Sequence, residues 1–477
     1  AAVVIADEGL TLEDATLAAD GLRATGGLVW SGGAGAGWRG NLTVNRLNLD
    51  GVIAHVPAVA ANWRENLAHV VAAFPVPAGG PPGSLQIAAA AVTVGGRPLR
   101  DVSGRLTLGD GRLGLADLRV IMPGDTLVTG DATVRGVGDG RRVEGAVKVV
   151  SGGLRDALAW LGVAPESLTA GRLRSGSTRA EFVLTPAALT LREWSFAFDA
   201  TQGNGGLTLL LRPRPSFGLS LAVDQLSLDH YAGASDRLTA LSAALLGEGT
   251  APGKQALATL RGFDANLDLR LGALVSGLRT WRDLRLRLGV KDGQVALKTL
   301  RVEDVVGVDV RVTGDIDLNQ TAPLLSLDFA GGSARLDRLA SYLGESWRRP
   351  LRQIGAARVR GRITGAAAAA TLETAFEGIG GWAKLTAPVD LTAGLLRGPG
   401  SIEIEHPEVA TLVGLRNDAW PLAKRSVGPG RLAVRLTPRD EDRHDLRLDL
   451  RAGEMTMALA GTMGRLRQLW PLDLTFD

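Results

Sequence analysis

Apolar and polar residues alternate with a period of two along most of this chain. Leu267, Leu269 and Leu271 are separated by Asp268 and Arg270, and Leu284, Leu286 and Leu288 by Arg285 and Arg287. Val308, Val310 and Val312 follow the same rule, as do Leu325, Leu327 and Phe329, and Leu446, Leu448 and Leu450. On a pleated strand this period sends every aliphatic side chain to one face and every charge to the other. A sheet wet on one side reads this way, whereas a doubly covered parallel sheet reads as unbroken apolar runs. The expected sheet is therefore antiparallel. Gly109-Asp-Gly111, Gly138-Asp-Gly140 and Lys291-Asp-Gly293 read as hairpin turns, and Pro186, Pro213 and Pro215 break others. Roughly two dozen strands fit between such signals, far above the usual strand share.

Helical patterns are few and short. They cover about 59–74, 154–161, 230–246, 336–354 and 407–415, and Asp50, Ser151 and Asp229 stand where they would cap the first three.

One phrase recurs. Leu42-Thr-Val-Asn-Arg-Leu-Asn-Leu-Asp50 returns as Leu221-Ala-Val-Asp-Gln-Leu-Ser-Leu-Asp229, both L-x-V-[N/D]-x-L-x-L-D and both leading into an alanine-rich helical stretch. A looser third copy begins at Leu327. Repeats of this kind stack on their neighbours because no single one can bury its apolar face. The expectation is one continuous array over 1–477, in approximate repeats 1–80, 81–168, 169–250, 251–354, 355–425 and a partial 426–477. Inside the phrase the apolar phase slips by one residue after Val44 and again after Val223. Such a slip predicts a β-bulge that bends the strand and curls the sheet.

Composition sharpens this picture. Hydrophobic residues make up 45% and mean hydropathy is +0.11, yet no apolar run reaches the length of a membrane-spanning helix. Aromatics are only 4%, too few for the interfacial girdles of a transmembrane barrel, and capped helices argue against a parallel β-helix. The net charge of +3 offers no basic block for nucleic acid, and the absence of cysteine removes disulfides and thiolate metal sites.

Chemical motifs are weak. Gly35-Ala-Gly-Trp-Arg-Gly40 fits a dinucleotide fingerprint, but a strand pattern follows where a helix is needed. His55, His69, His230, His406 and His444 lack metal-ligand spacing. Asp304, Asp309, Asp315 and Asp317 lack a calcium loop, and no serine occupies a nucleophile elbow. We expect no cofactor and no enzymatic activity.

The recurring phrase, together with Val128-Thr-Gly-Asp-Ala-Thr-Val134, Val312-Thr-Gly-Asp-Ile-Asp-Leu318 and Leu211 to Tyr231, resembles the AsmA-like family of bacterial envelope proteins, TamB-type relatives included. The resemblance covers nearly the whole chain. It implies an elongated, curled antiparallel β-sheet, a groove with short interspersed helices. It further implies a periplasmic phospholipid conduit between inner and outer membranes, contributing to outer-membrane integrity and tethered to the inner membrane by a helix ahead of Ala1. The groove lining expected is Leu42, Val44, Leu221, Val223 and the alternating aliphatics named above. Physics makes this role plausible, because an acyl chain in water costs about 0.8 kcal/mol per CH₂, on the order of 12 kcal/mol for sixteen carbons. An apolar strip about 110 Å long, two dozen strands at strand spacing, offsets that cost at every point. The expected partners are acyl lipid, membranes at the ends of the full-length protein and envelope proteins. The alternative is a scaffold for outer-membrane protein assembly that binds strands at its edges.

Overall fold

The computed structural model describes residues 2–6, 9–19, 22–48, 80–94, 96–160, 171–227, 251–276, 279–305, 307–320, 322–339, 348–392, 395–396, 398–416, 426–439 and 443–464. The protein is mainly β and divides into two compact units, Ala1–Gln225 with His230–Ala232, and Leu226–Asp229 with Gly233–Asp477.

The first unit holds thirteen strands among its described residues. They are β1 (Ala2–Ala6), β2 (Gly9–Ala19), β3 (Leu22–Ser31), β4 (Gly37–Asn48), β5 (Gly83–Val94), β6 (Arg97–Gly109) and β7 (Arg112–Met122). They continue with β8 (Thr126–Arg135), β9 (Arg142–Ser151), β10 (Gly176–Leu184), β11 (Ala188–Phe198), β12 (Thr201–Leu210) and β13 (Ser216–Ser227). The second begins with β14 (Asp264–Ser276), β15 (Arg279–Lys291), β16 (Gln294–Val305), β17 (Val308–Asp317), β18 (Leu324–Ser333), β19 (Ala357–Ala366) and β20 (Ala369–Gly378). It ends with β21 (Gly381–Asp390), β22 (Leu395–Leu396), β23 (Gly400–His406), β24 (Gly430–Pro438), β25 (Arg443–Ala452) and β26 (Met455–Gly464).

Within each unit the strands form an open ladder in chain order, each pairing antiparallel with the next, and the two-residue β22 adds only to the end of β21. The β4–β5 pair is the parallel exception among the described pairings. A parallel pair needs a long crossover, and the helix expected there, over 59–74, lies outside the described residues. Tight turns make the meander. Asp110 and Gly111, and Asp292 and Gly293, all have positive φ, the conformation of a two-residue hairpin turn that matches strand twist.

Among the described residues, four α-helices interrupt the ladder: α1 (Leu154–Trp160), α2 (Ala251–Arg261), α3 (Arg348–Ile354) and α4 (Val409–Arg416). Of the helix expected over 336–354, the described residues hold a 3-10 turn, Leu336–Leu339, and α3, and 340–347 lie outside them. The pattern did not foretell α2, because Pro252 and Gly253 disguise its first turn. The helix expected over 230–246, and the caps Asp50 and Asp229, lie outside the described residues. Ser151 does not cap α1. It closes β9, where its hydroxyl meets the Thr126 hydroxyl at 2.6 Å, three residues before the helix starts.

Curvature comes from devices other than the expected one. Among the described pairings no register shift falls inside the repeated phrase. Through it β4 keeps constant register with β5, from Val44↔Ala89 to Leu47↔Val92. The phase slips because pairing with β3 stops at Ala24↔Val44, where Asn45 Oδ1 accepts the Arg23 N–H at 2.7 Å. The second copy repeats the device: pairing with β12 stops at Gly203↔Val223, and Asp224 Oδ1 accepts the Gln202 N–H at 2.7 Å. The invariant N/D of the phrase thus satisfies a backbone donor where one strand peels away.

Five bulges elsewhere have an acid at positive φ: Asp14 in β2, Asp101 in β6, Asp117 in β7, Glu193 in β11 and Asp283 in β15; β16 shifts register between Leu297 and Leu300 and between Val302 and Val305 without one. Each acid stands third in an apolar–x–acid–apolar tetrad, as in Leu115-Ala-Asp-Leu118 and Trp281-Arg-Asp-Leu284. Aspartate tolerates the left-handed region better than most side chains.

Mid-strand glycines add a second bend. A Cβ on Gly130 would stand 2.3 Å from the Ala146 carbonyl oxygen, and one on Gly314 would stand 2.0 Å from that of Ser326. Both Cβ positions point to the apolar side, since Gly130 pairs with Val147 and Gly314 with Leu327. The neighbouring strand therefore leans over that side, so the apolar face is the inside of the bend.

Candidate functional site

The register assembles one apolar face per unit. In the second unit Leu267, Leu269 and Leu271 stand opposite Leu288, Leu286 and Leu284. Leu286 then meets Leu300, Leu300 meets Val312, and Val312 meets Phe329. Val310 joins the row through Val302 and Val308 through Val305, while Leu327 continues to Ile363. Ile363 pairs with Leu372, and Leu385 with Ile402. The row closes through Val434 opposite Leu448, with Leu446 and Leu450 beside it on Leu436 and Leu432. In the first unit Leu42 and Val44 stand opposite Ile87 and Ala89, and Leu221 and Val223 opposite Gly205 and Gly203. Every residue named from the alternation thus lies on the apolar face of its own unit. The ladder brings in others that the alternation had marked less plainly, among them Ile363, Leu385, Ile402, Leu432 and Val434.

Sequence reasoning missed an aromatic patch on the first unit's face. Trp194, Phe196 and Phe198 follow one another on β11 with ring centroids 5.3 and 5.7 Å apart, and the Trp194 indole N–H donates to Thr178 at 3.0 Å. Gly205 and Gly203 face Trp194 and Phe196 from β12, leaving the rings unhindered. The period-two spacing of these aromatics was the available signal.

The face is half-covered only. Leu267, Leu269, Leu271, Leu284, Leu286, Leu288, Val308, Val310, Val312, Leu446, Leu448 and Leu450 are all partly exposed, whereas Val44 and Leu325 are buried at 3% and 6%. Substantial contacts between described elements run between ladder neighbours, between α3 and its 3-10 turn, and between α3 and α4. Among the described residues, α2 and α3 pack at strand ends. Leu257 of α2 meets Leu318 just past β17, and Leu351 of α3 meets Leu336, Ala357 and Phe376. The described buried residues accordingly form five small clusters in place of one core.

The opposite face is laced with charge. Arg362 grips Asp328 with bonds of 2.7 and 2.9 Å, Arg287 reaches Asp268 at 3.1 Å, and Arg431 lies within 3.5 Å of both Glu403 and Glu405. The Arg362 hydrogen bond holds the Asp328 carboxyl below its usual range. These pairs are exposed and contribute little stability each; their effect is to keep this side wet.

His406 and Glu408 form the most constrained polar cluster described. His406 Nε2 lies 2.8 Å from the Ile379 carbonyl, and Nδ1 lies 2.9 Å from the Glu408 backbone nitrogen and 2.6 Å from its carbonyl oxygen. Glu408 accepts from Ser426 Oγ at 2.6 Å and from the backbone N–H groups of Val427, Ala410 and Gly428. The cluster ties the start of α4 to β24, a structural role. Among the described residues no group of three or more acids and histidines is arranged for a metal.

No known family model matches the chain, and no curated protein is significantly similar to it.

Proposed function

We propose that the chain binds phospholipid along its apolar strand faces and conducts it through the periplasm between inner and outer membranes, in the manner of the AsmA-like proteins it resembles. The observation that carries this reading is the unbroken apolar register across each ladder, half-exposed and on the inside of the bend. An acyl chain laid across such a face leaves water at every strand, so its movement meets no single large barrier. Strand spacing gives each ladder an apolar width on the order of 50 Å. The role is non-catalytic, and its partners are lipid and the two membranes.

Native mass spectrometry of the chain purified from a lipid-containing host is expected to detect bound phospholipid. Leu286→Arg or Val310→Arg, placing a charge mid-face, is expected to cut that retention at least tenfold. Because these side chains are half-exposed, the cost in stability should be only about 1–2 kcal/mol. Lipid-free protein, or variants that retain lipid as well as wild type, would count against the conduit. Photocrosslinks that capture barrel-protein strands at the ladder edges, with none to lipid from the face, would favour the assembly scaffold instead.

A further inference from the structure

A cavity of about 680 Å³ opens at the strand ends just past α3, and Arg335, Arg338, Arg358, Asp309 and Glu377 are among the residues that line it. That volume lies within the range of small-ligand sites. We propose that it holds the phosphate-bearing headgroup of a phospholipid whose acyl chains lie on the apolar face of the second unit, an inference that rests on the lipid-handling reading above.

Position is the first argument. Ser333 and Ala357, paired across β18 and β19, belong to the apolar side, whereas Asp309, Gly332 and Arg358 belong to the polar side, and all five line the cavity. The cavity therefore straddles the rim where one face gives way to the other. Directly behind it on the apolar face, a Cβ at Gly331 would stand 3.3 Å from Val359 and 3.7 Å from Val308. A headgroup in the cavity places its tails on Val308, Val310 and Phe329 within a residue or two.

Charge is the second. Between 335 and 362 the chain carries eight arginines against two acids, in a protein whose net charge is only +3. Of the carboxylates nearby, Glu377 is engaged by Arg360 at 3.3 Å and Asp337 by Arg335 at 3.5 Å, while Asp309 also lines the cavity. Arg358 stands cross-strand from Glu377, yet no carboxylate lies within ion-pair distance of it among the described residues. A guanidinium without an acid, at the edge of an apolar face, suits a phosphodiester, which its planar fork binds through two hydrogen bonds. Gly307, at φ +85°, keeps this rim open, since a Cβ there would approach Arg338 Cδ to 2.8 Å.

The test titrates the whole chain with dioleoylphosphatidylglycerol, dioleoylglycerol and glycerol 3-phosphate, read by native mass spectrometry. Wild type is expected to retain the phospholipid at least tenfold better than dioleoylglycerol and to hold glycerol 3-phosphate only feebly. The triple variant Arg335→Gln, Arg338→Gln, Arg358→Gln should lose that preference while keeping dioleoylglycerol, and the corresponding triple lysine variant should recover much of it. The exposed single change Arg358→Gln should weaken the preference in the same direction at an unchanged melting temperature. Undiminished phospholipid preference in the glutamine variant would overturn the headgroup site alone. Glycerol 3-phosphate binding as tightly as the whole lipid would overturn it in favour of a soluble phosphate site. Failure of wild type to retain either acyl probe would overturn the lipid-handling reading itself.

Discussion

A carboxylate that accepts several hydrogen bonds ionises far more readily than one in water, and Glu408 is held in this way at the start of α4. Its hydroxyl bond from Ser426 and the backbone bonds around it lower its pKa from 4.5 to about 2. A folded-state value below the unfolded one means that the cluster stabilises the protein fully above about pH 4.5. That contribution fades as pH falls toward 2. Glu408→Gln cannot ionise, so its melting temperature should lie below that of wild type at neutral pH, and the gap should close between pH 4.5 and 2. A gap as wide at pH 2.5 as at pH 7 would show that the negative charge contributes nothing. At this scale the sequence was least legible. The spacing of His406 carries no metal-ligand signal, and the contacts that fix the cluster, Ile379 with His406 and residues 426–428 with Glu408, join segments far apart in the chain.

Elements were more legible, and the misreadings share a cause. Alternation finds strands because it depends on each strand alone, whereas curvature depends on what the neighbouring strand needs. The phase slip at Asn45 and Asp224 looked like an inserted residue, yet it marks where one partner strand leaves. Five of the actual bulges hide in tetrads such as Leu115-Ala-Asp-Leu118, where an acid supplies a positive φ. The glycine in Thr129-Gly-Asp131 admits the Ala146 carbonyl. Gly130→Val is therefore expected to destabilise the protein by about 1–3 kcal/mol through overpacking against backbone. Gly218→Ala, whose Cβ meets nothing within 4 Å, should change stability by under about 0.5 kcal/mol. Chemical denaturation midpoints compare the two directly, and equal effects would remove glycine from the account of the bend.

For the molecule as a whole, the decisive property is an apolar face left half-exposed in the native state. Folded protein stripped of lipid should bind a dye of the anilinonaphthalene sulfonate type, which reports accessible apolar surface, and phospholipid should displace it. Native protein that leaves the dye dark would mean that the face is sealed. Period-two alternation by itself determined that the chain is a meander of strands with one oily and one charged side, because that pattern is set residue by residue along a single strand. Only the tertiary structure decided which residues of different strands share a row and toward which side the ladders bend. It also brought Arg335, Arg338 and Arg358 to one cavity at the rim of the face. Those outcomes depend on register, bulges and close backbone approach between strands, none of which a single strand's pattern contains.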